Sequence, residues 1–286
     1  CYRACSEYKK GTAGRFAPGL PAKGDGQLLF MLNGLAKLKD DGQMAIIQNG
    51  SSLFNGDAGS GPSEIRRYLI ENDWLDAIVQ LPGNAFYNTP IATYIWIVMK
   101  NKPVTHQGKV QLIDASACAS SRRKNIGEKK VDITKACRDL IIEAYGAYVN
   151  DTYNGVDENN NTIVVKSKVM DAVDLGYNKI VVETPQFDED GNVIMKKKKP
   201  VADTSKRDTE NVPLAEDIDD YFEREVIPYN PQAWIDKSKT KVGYEIPFTR
   251  TFYEYKQIEP SDVIAARIEE HEKSLMAKLH DLFGGE

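Results

Sequence analysis

The chain is poor in the residues that most often announce a reactive centre. Its 286 residues include four cysteines (Cys1, Cys5, Cys118, Cys137) and three histidines (His106, His271, His280). The cysteines are scattered, with no Cys-x-x-Cys spacing. Neither a metal site nor a disulfide framework is expected, and the thiols read as buried or idle groups in a reducing cytoplasm. No histidine stands in a Ser, Cys or Asp constellation suited to nucleophilic catalysis. No apolar run approaches the roughly 18–20 residues of a membrane helix, so no membrane partner is expected. No Pro-Pro pair occurs, and no strand followed by a Gly-x-Gly turn opens the chain.

What is present is ordinary in bulk. A hydrophobic share of 41% and a charged share of 28% place the chain among globular proteins with a sizeable core. A net charge of −5 argues against a surface devoted throughout to nucleic acid, and leaves room for a local basic patch.

The most informative stretch is 79–102. A buried strand ends at Pro82-Gly83, which cannot continue a ladder. The loop Asn84-Ala85-Phe86-Tyr87-Asn88-Thr89-Pro90 follows. A second strand, Thr93 to Met99, is rich in β-branched and aromatic residues. An aromatic loop at the strand ends of an open sheet is a place where a flat ligand can stack. Asn84 and Asn88 could bond such a ligand, although asparagine also suits a turn for its own sake. Asn49, at the end of a preceding strand, carries the same two readings.

Further signals divide the chain into an α/β part and an α+β tail. Residues 1–24 read as a Gly- and Pro-rich loop. Asp25 is expected to cap a helix reaching Lys39, followed by a short buried strand from Gln43 to Gln48. Ser63 is expected to cap a helix through Asn72, and Asp76 to Leu81 is the next strand. Strand, helix and strand at this spacing form a βαβ unit. Lys109 to Asp114 adds a strand, Thr134 to Tyr148 a helix, and 150–162 a polar loop. Strands are expected at Ile163–Lys168 and Lys179–Glu183, with a turn at Asp188–Asn192. The polar stretch up to Asp208 reads as mobile. A helix from Leu214 to Val226 carries Asp217, Asp219, Asp220, Glu223 and Glu225 as a solvated acidic face rather than a metal loop. A long final helix opens at Pro260-Ser261. Its apolar positions Ile264, Ile268, Leu275, Leu279 and Leu282 make a narrow seam between charges, a pattern suited to docking on another helix, in this chain or a partner. His271 falls on that seam.

Arg122, Arg123, Lys124, Lys129 and Lys130 cluster ahead of the 134–148 helix and are candidates for phosphate contact, against the alternative of a solvated face. Lys196 to Lys199 reads as a solvated hairpin edge.

Two blocks carry a family resemblance. The first is GQMAIIQNGSSLF with IRRYLIENDWLDAIVQLPGNAFYNTPIATYIWIVMKNK. The second is Asp208-Thr209-Glu210-Asn211-Val212-Pro213-Leu214 with Tyr244-Glu245-Ile246-Pro247-Phe248-Thr249-Arg250-Thr251-Phe252-Tyr253. In this order they resemble the modification subunit of type I restriction-modification systems, which are adenine-N6 DNA methyltransferases. The resemblance starts near Gly14-Arg15-Phe16. It implies methyl transfer from S-adenosylmethionine to adenine in double-stranded DNA, in company with a specificity subunit and a restriction subunit. The family's donor-binding Gly-rich turn and its Asn-Pro-Pro-Phe motif do not occur here, so the resemblance supplies no catalytic residue. It implies the second half of a Rossmann-like methyltransferase sheet in 1–117, an α+β tail in 118–258 and a docking helix in 259–286. It also makes Phe86, Tyr87, Tyr94 and Trp96 candidates to hold an extruded adenine. Core packing competes for Tyr94 and Trp96, which share one strand face. The expectation is a portion of such a subunit that is inactive alone. A non-enzymatic module bridging DNA and partner helices is the alternative, and an unrelated α/β enzyme with a site at Asn49 and Phe86 is a third reading.

Overall fold

A computed structural model describes residues 6–22, 24–255 and 259–283. The fold is mixed α/β, as expected. Helix α1 (Gln27–Leu35) precedes strand β1 (Gln43–Asn49). The short turn α2 (Ser51–Phe54) and helix α3 (Gly61–Glu71) lead into β2 (Leu75–Gln80) and β3 (Thr93–Met99). Strand β4 (Lys109–Asp114), the hairpin β5 (Ser120–Ile126) and β6 (Lys129–Asp132), and helix α4 (Lys135–Ala147) follow. Strands β7 (Asp151–Val156) and β8 (Thr162–Asp171) complete a sheet of order β1-β3-β2-β4-β8-β7.

The expected βαβ unit is present with a strand inserted. β3 runs antiparallel to both β1 and β2, so those two are parallel and separated by it. β2 and β4 pair in parallel. Val79, Ile113, Ile163 and Val165 share one face with Cys137, Leu140 and Ala144 of α4. Burying a leucine of this kind contributes about 1.5–3 kcal/mol. On the opposite face α1 approaches so closely that a side chain at Gly34 would meet Met44 Sδ at 2.2 Å.

A second sheet is built around β9 (Gly176–Glu183). It pairs with β12 (Asp208–Pro213), β13 (Trp234–Ile235) and β14 (Lys241–Tyr244), and helix α5 (Ile218–Glu225) covers it with Phe222. Between β9 and β12 lie the two-residue strands β10 (Met195–Lys196) and β11 (Lys199–Pro200). β14 sews this sheet to α3. Buried Arg66 donates from Nε to Tyr244 O at 2.6 Å, and from its terminal nitrogen to Ser52 O and Asn55 O at 3.1 and 3.0 Å. Burial pushes this guanidinium down to about 10. Ile246 N donates to Leu53 O at 2.9 Å, and Phe248, in the turn α6 (Phe248–Thr251), packs edge-on against Tyr94 at 5.4 Å. The two blocks that carry the resemblance are thus physically joined.

Residues through Thr251 form one compact unit and those from Phe252 another. The second contains helix α7 (Ser261–Phe283), whose Ile268, Leu275, Leu279 and Leu282 are exposed and Ile264 half-buried. Among the described residues no helix is long and apolar enough to cross a membrane.

Several local expectations need correction. β1 is an edge strand with Ile47 50% exposed, not a buried one. Helix α1 stops at Leu35, and Gly26 rather than Asp25 precedes its first turn. Ser60 occupies the cap position of α3, whereas Ser63 is buried and accepts from Tyr244 N at 3.0 Å. Residues 151–156 pair with β8, because Asp157 folds the Asn-rich segment into a tight turn by accepting from Asn159 N and Asn161 N. Helix α5 starts at Ile218, where the Asp217 carboxylate accepts from Asp219 N and Asp220 N.

Candidate base groove and DNA-facing surface

The carboxyl ends of parallel strands are where open α/β sheets receive ligands. Here β1 ends at Asn49 and β2 at Gln80, and β3 begins between them at Thr93, paired with Asn49. Leu81 N donates to Thr93 O at 2.8 Å before the chain turns out through Pro82-Gly83. Asn84 takes a left-handed φ of 56°, and its amide donates to Pro90 O at 3.1 Å, closing the loop. Phe86 bridges to Thr89 across the tip. The result is a groove of about 320 Å³ lined by Ile47, Phe86, Tyr87, Asn88, Thr89 and Thr93.

The basic cluster sits on the β5–β6 hairpin rather than on the approach to a helix, and that hairpin is fastened to the aromatic loop. Glu128 N donates to Tyr87 O at 2.9 Å, Lys130 N to Asn84 O at 2.9 Å, and Asn84 Nδ2 to Glu128 O at 3.1 Å. Gly127, with φ of 57°, passes so near that a side chain would meet Tyr87 O at 2.7 Å. The Lys129 ammonium lies 5.4 Å from the Tyr87 ring centre and 3.0 Å from Asp132. Arg122 also pairs with Asp132, and these two cations hold its carboxyl below the ordinary range. Arg122 and Lys129 are therefore engaged in holding the hairpin. Arg123, Lys124 and Lys130 are exposed and make no ion pair among the described residues.

Of the four aromatic candidates the structure brings Phe86 and Tyr87 to the groove. Trp96 is fully buried and Tyr94 nearly so, which places both in the core. Asn84 serves the turn and the hairpin, while Asn88 lines the groove.

Two groups of side chains were missed. At the end of β1, Gln27 Nε2 donates to Asn49 Oδ1 at 2.8 Å and Ser51 Oγ at 2.6 Å, and Ser51 Oγ donates to Asp25 Oδ2 at 2.5 Å. Asn49 is thus a hub between α1 and α2 rather than a turn residue alone. Burial raises the Asp25 carboxyl, but the bonds from Ser51 and Gln27 outweigh it and the net shift is downward. Asp25 and Ser51 line a second cavity of about 390 Å³. The other group surrounds His106, for which no nucleophilic constellation was expected and no structural partner was named. Its Nδ1 lies 2.9 Å from Oδ1 of buried Asp76, and its ring stacks on Tyr148 with centres 3.5 Å apart. Sequence separation of 30 and 42 residues hid both contacts.

Residues 4–186 match the family model described as N-6 DNA Methylase. The chain is 31% identical over 109 residues to the type I restriction enzyme MjaIX methylase subunit of Methanocaldococcus jannaschii, covering 37% of this chain and 19% of that protein. It is 33% identical over 101 residues to the HindI methylase subunit of Haemophilus influenzae, covering 35% and 22%. The match thus spans about a fifth of each relative's length. Among solved structures, the type I restriction-modification methyltransferase subunit of Streptococcus thermophilus superposes with a TM-score of 0.47 at 27% identity, covering 60% of this chain and 32% of that one. Because the family match takes in more than half of its residues, the chain belongs to the N-6 DNA methylase family.

Proposed function

We propose that this chain supplies the target-base groove, the adjoining DNA surface and the docking helix of a type I modification subunit, which as a whole transfers a methyl group from S-adenosylmethionine to adenine N6. One observation carries this: the aromatic groove and the basic hairpin are a single bonded surface at the strand ends. A base must leave the duplex before it can be modified, and aromatic or apolar faces then hold it. Phe86 and Ile47 offer such faces. Arg123, Lys124 and Lys130 stand on the hairpin bonded to the same loop, in reach of flanking phosphates.

The methyl donor does not fit among these residues. The groove lining has no carboxylate for the donor's ammonium or ribose, and Asp25 in the neighbouring cavity already accepts from Ser51 and Gln27. No chemical step is therefore assigned to this chain, and isolated it neither binds the donor nor methylates DNA. Residues 1–117 supply four strands of the catalytic sheet, 118–258 carry the basic hairpin, the sheet's last two strands and the tail, and 259–286 dock. The α7 seam of Ile264, Ile268, Leu275, Leu279 and Leu282 contacts helices of the specificity subunit, and the restriction subunit joins that cytoplasmic complex.

The test places 2-aminopurine at the target adenine and follows its fluorescence with the intact modification and specificity subunits. Phe86→Ala should lose the extrusion signal on that duplex and methyl incorporation on one that keeps adenine at the target, while DNA affinity holds. An unchanged signal would sink the groove assignment. Methyl incorporation by this chain alone would refute its dependence on other residues.

A further inference from the structure

Between β9 and β12 the chain leaves its sheet as a forked arm. The stem is closed by Gln186 N donating to Val201 O at 2.8 Å and Asp203 N to Thr184 O at 2.8 Å. One branch pairs Phe187 with Val193 over a turn in which Asp188 accepts from Asp190 N and Asn192 N. The other is the β10–β11 hairpin, with Met195 opposite Pro200 and Lys196 opposite Lys199. Its two-residue turn is Lys197-Lys198, with φ of 51° and 62°.

Local preference does not account for that turn. Two left-handed central residues favour Asn-Gly, and a side chain there is strained. The sequence accepts the strain and places four consecutive lysines at one tip. All four are exposed, and among the described residues none makes an ion pair. The chain as a whole is acidic, at −5. The acidic residues Asp188, Glu189 and Asp190 occupy the other branch. The tip carries no aromatic ring on which an unpaired base could stack. Point charges on long stems suit the evenly spaced phosphates of a duplex better than its bases. The match to the family model ends at residue 186, short of the lysine tip.

We propose that Lys196–Lys199 grip the phosphodiester backbone of double-stranded DNA, as a second contact beside the β5–β6 hairpin. This rests on the reading of the chain as a DNA-facing part of a modification subunit. The tip contributes affinity that does not depend on base sequence and weakens with salt, since each neutralised phosphate releases a counterion.

The experiment follows binding of the 286-residue chain to a fluorescent DNA duplex by anisotropy across a salt series. Lys197→Asn with Lys198→Gly removes two charges and installs the residues the turn prefers, so the hairpin stays folded. Adding Lys196→Gln and Lys199→Gln removes all four. The slope of log affinity against log salt should fall by about 2 and about 4 respectively, at roughly 0.9 per contact. A Lys→Arg version of the tip should keep the slope. Unchanged slopes in both depleted variants, with loss in Arg123→Ala/Lys124→Ala/Lys130→Ala, overturn the proposal while the DNA reading stands. No binding by the unaltered chain at any salt overturns both. Charge-dependent binding to anionic vesicles without binding to DNA overturns the proposal.

Discussion

The two ends of β2 use the same residue types in opposite ways. At its start, buried Asp76 accepts from Tyr145 at 2.7 Å and faces His106, while Tyr148 stacks on that imidazole. Lys102, also buried, reaches Asp73 at 2.6 Å and Lys109 O at 2.7 Å. Burial and the nearby Asp76 push the phenols of Tyr145 and Tyr148 well above their ordinary range. At its end, Tyr87 is 57% exposed, and three of the five nearby cations make no ion pair among the described residues. Aromatic, basic and acidic groups occur at both ends. They are mutually satisfied at one and left open at the other. A polar cluster that answers its own bonds stabilises a fold, whereas one that does not is available to a ligand.

Breaking the closed end should have the largest effect. Asp76→Leu strips Tyr145 and His106 of a buried partner, and an unpartnered buried polar group costs about 1–3 kcal/mol. A loss of about 3 kcal/mol is expected in urea unfolding, with the denaturant slope unchanged. If stability held within about 0.5 kcal/mol, the network would be ornamental and the contrast between the two ends would fail.

The open end should respond in function first. Phe86→Ala should weaken retention of an extruded base by about 1–3 kcal/mol, the usual worth of an aromatic platform. Gly127→Ala should act there too, through both its left-handed φ and the 2.7 Å approach to Tyr87 O. It should lower DNA affinity several-fold by displacing the hairpin, while chemical unfolding of the main sheet stays where it was. A Gly127→Ala chain that bound DNA normally would uncouple the basic hairpin from the aromatic loop.

How much of this contrast was legible beforehand depends on range. β2, β3, β4, α4 and α7 announced themselves through periodicity, Pro-Gly punctuation and β-branched content, all local signals. The aromatic loop and the basic cluster were each visible. Their union was not, because the bonds run from 84 and 87 to 127–130 through backbone atoms, which any residue type could provide. Asp76, His106, Tyr145 and Tyr148 were hidden similarly. Tyr148 even holds a left-handed helix cap usually given to glycine, a cost the stacked imidazole offsets. The exposed face of β1 was misjudged because four apolar residues in a row read as a buried strand, although strand order leaves it at an edge.

The smallest effect concerns Asp132, the one acidic residue inside the open cluster's ion pairs. Arg122 and Lys129 hold its carboxyl below the ordinary value near 3.9. A depressed carboxylate contributes its stabilisation above the unfolded value and loses it as pH falls through the folded one. Hairpin docking should therefore be flat through neutral pH and loosen only in acid below about pH 4. Because the pair is largely solvated, the gain is small and screened by salt. Asp132→Asn removes the tether and a negative charge together. It should release Arg122 and Lys129 toward phosphates and steepen the salt dependence of DNA binding by up to about 2, and the acid loosening should vanish. If instead the variant binds more weakly with a shallower salt slope, Arg122 and Lys129 matter to DNA only while Asp132 holds them, and the open end is more tightly built than its exposure suggests.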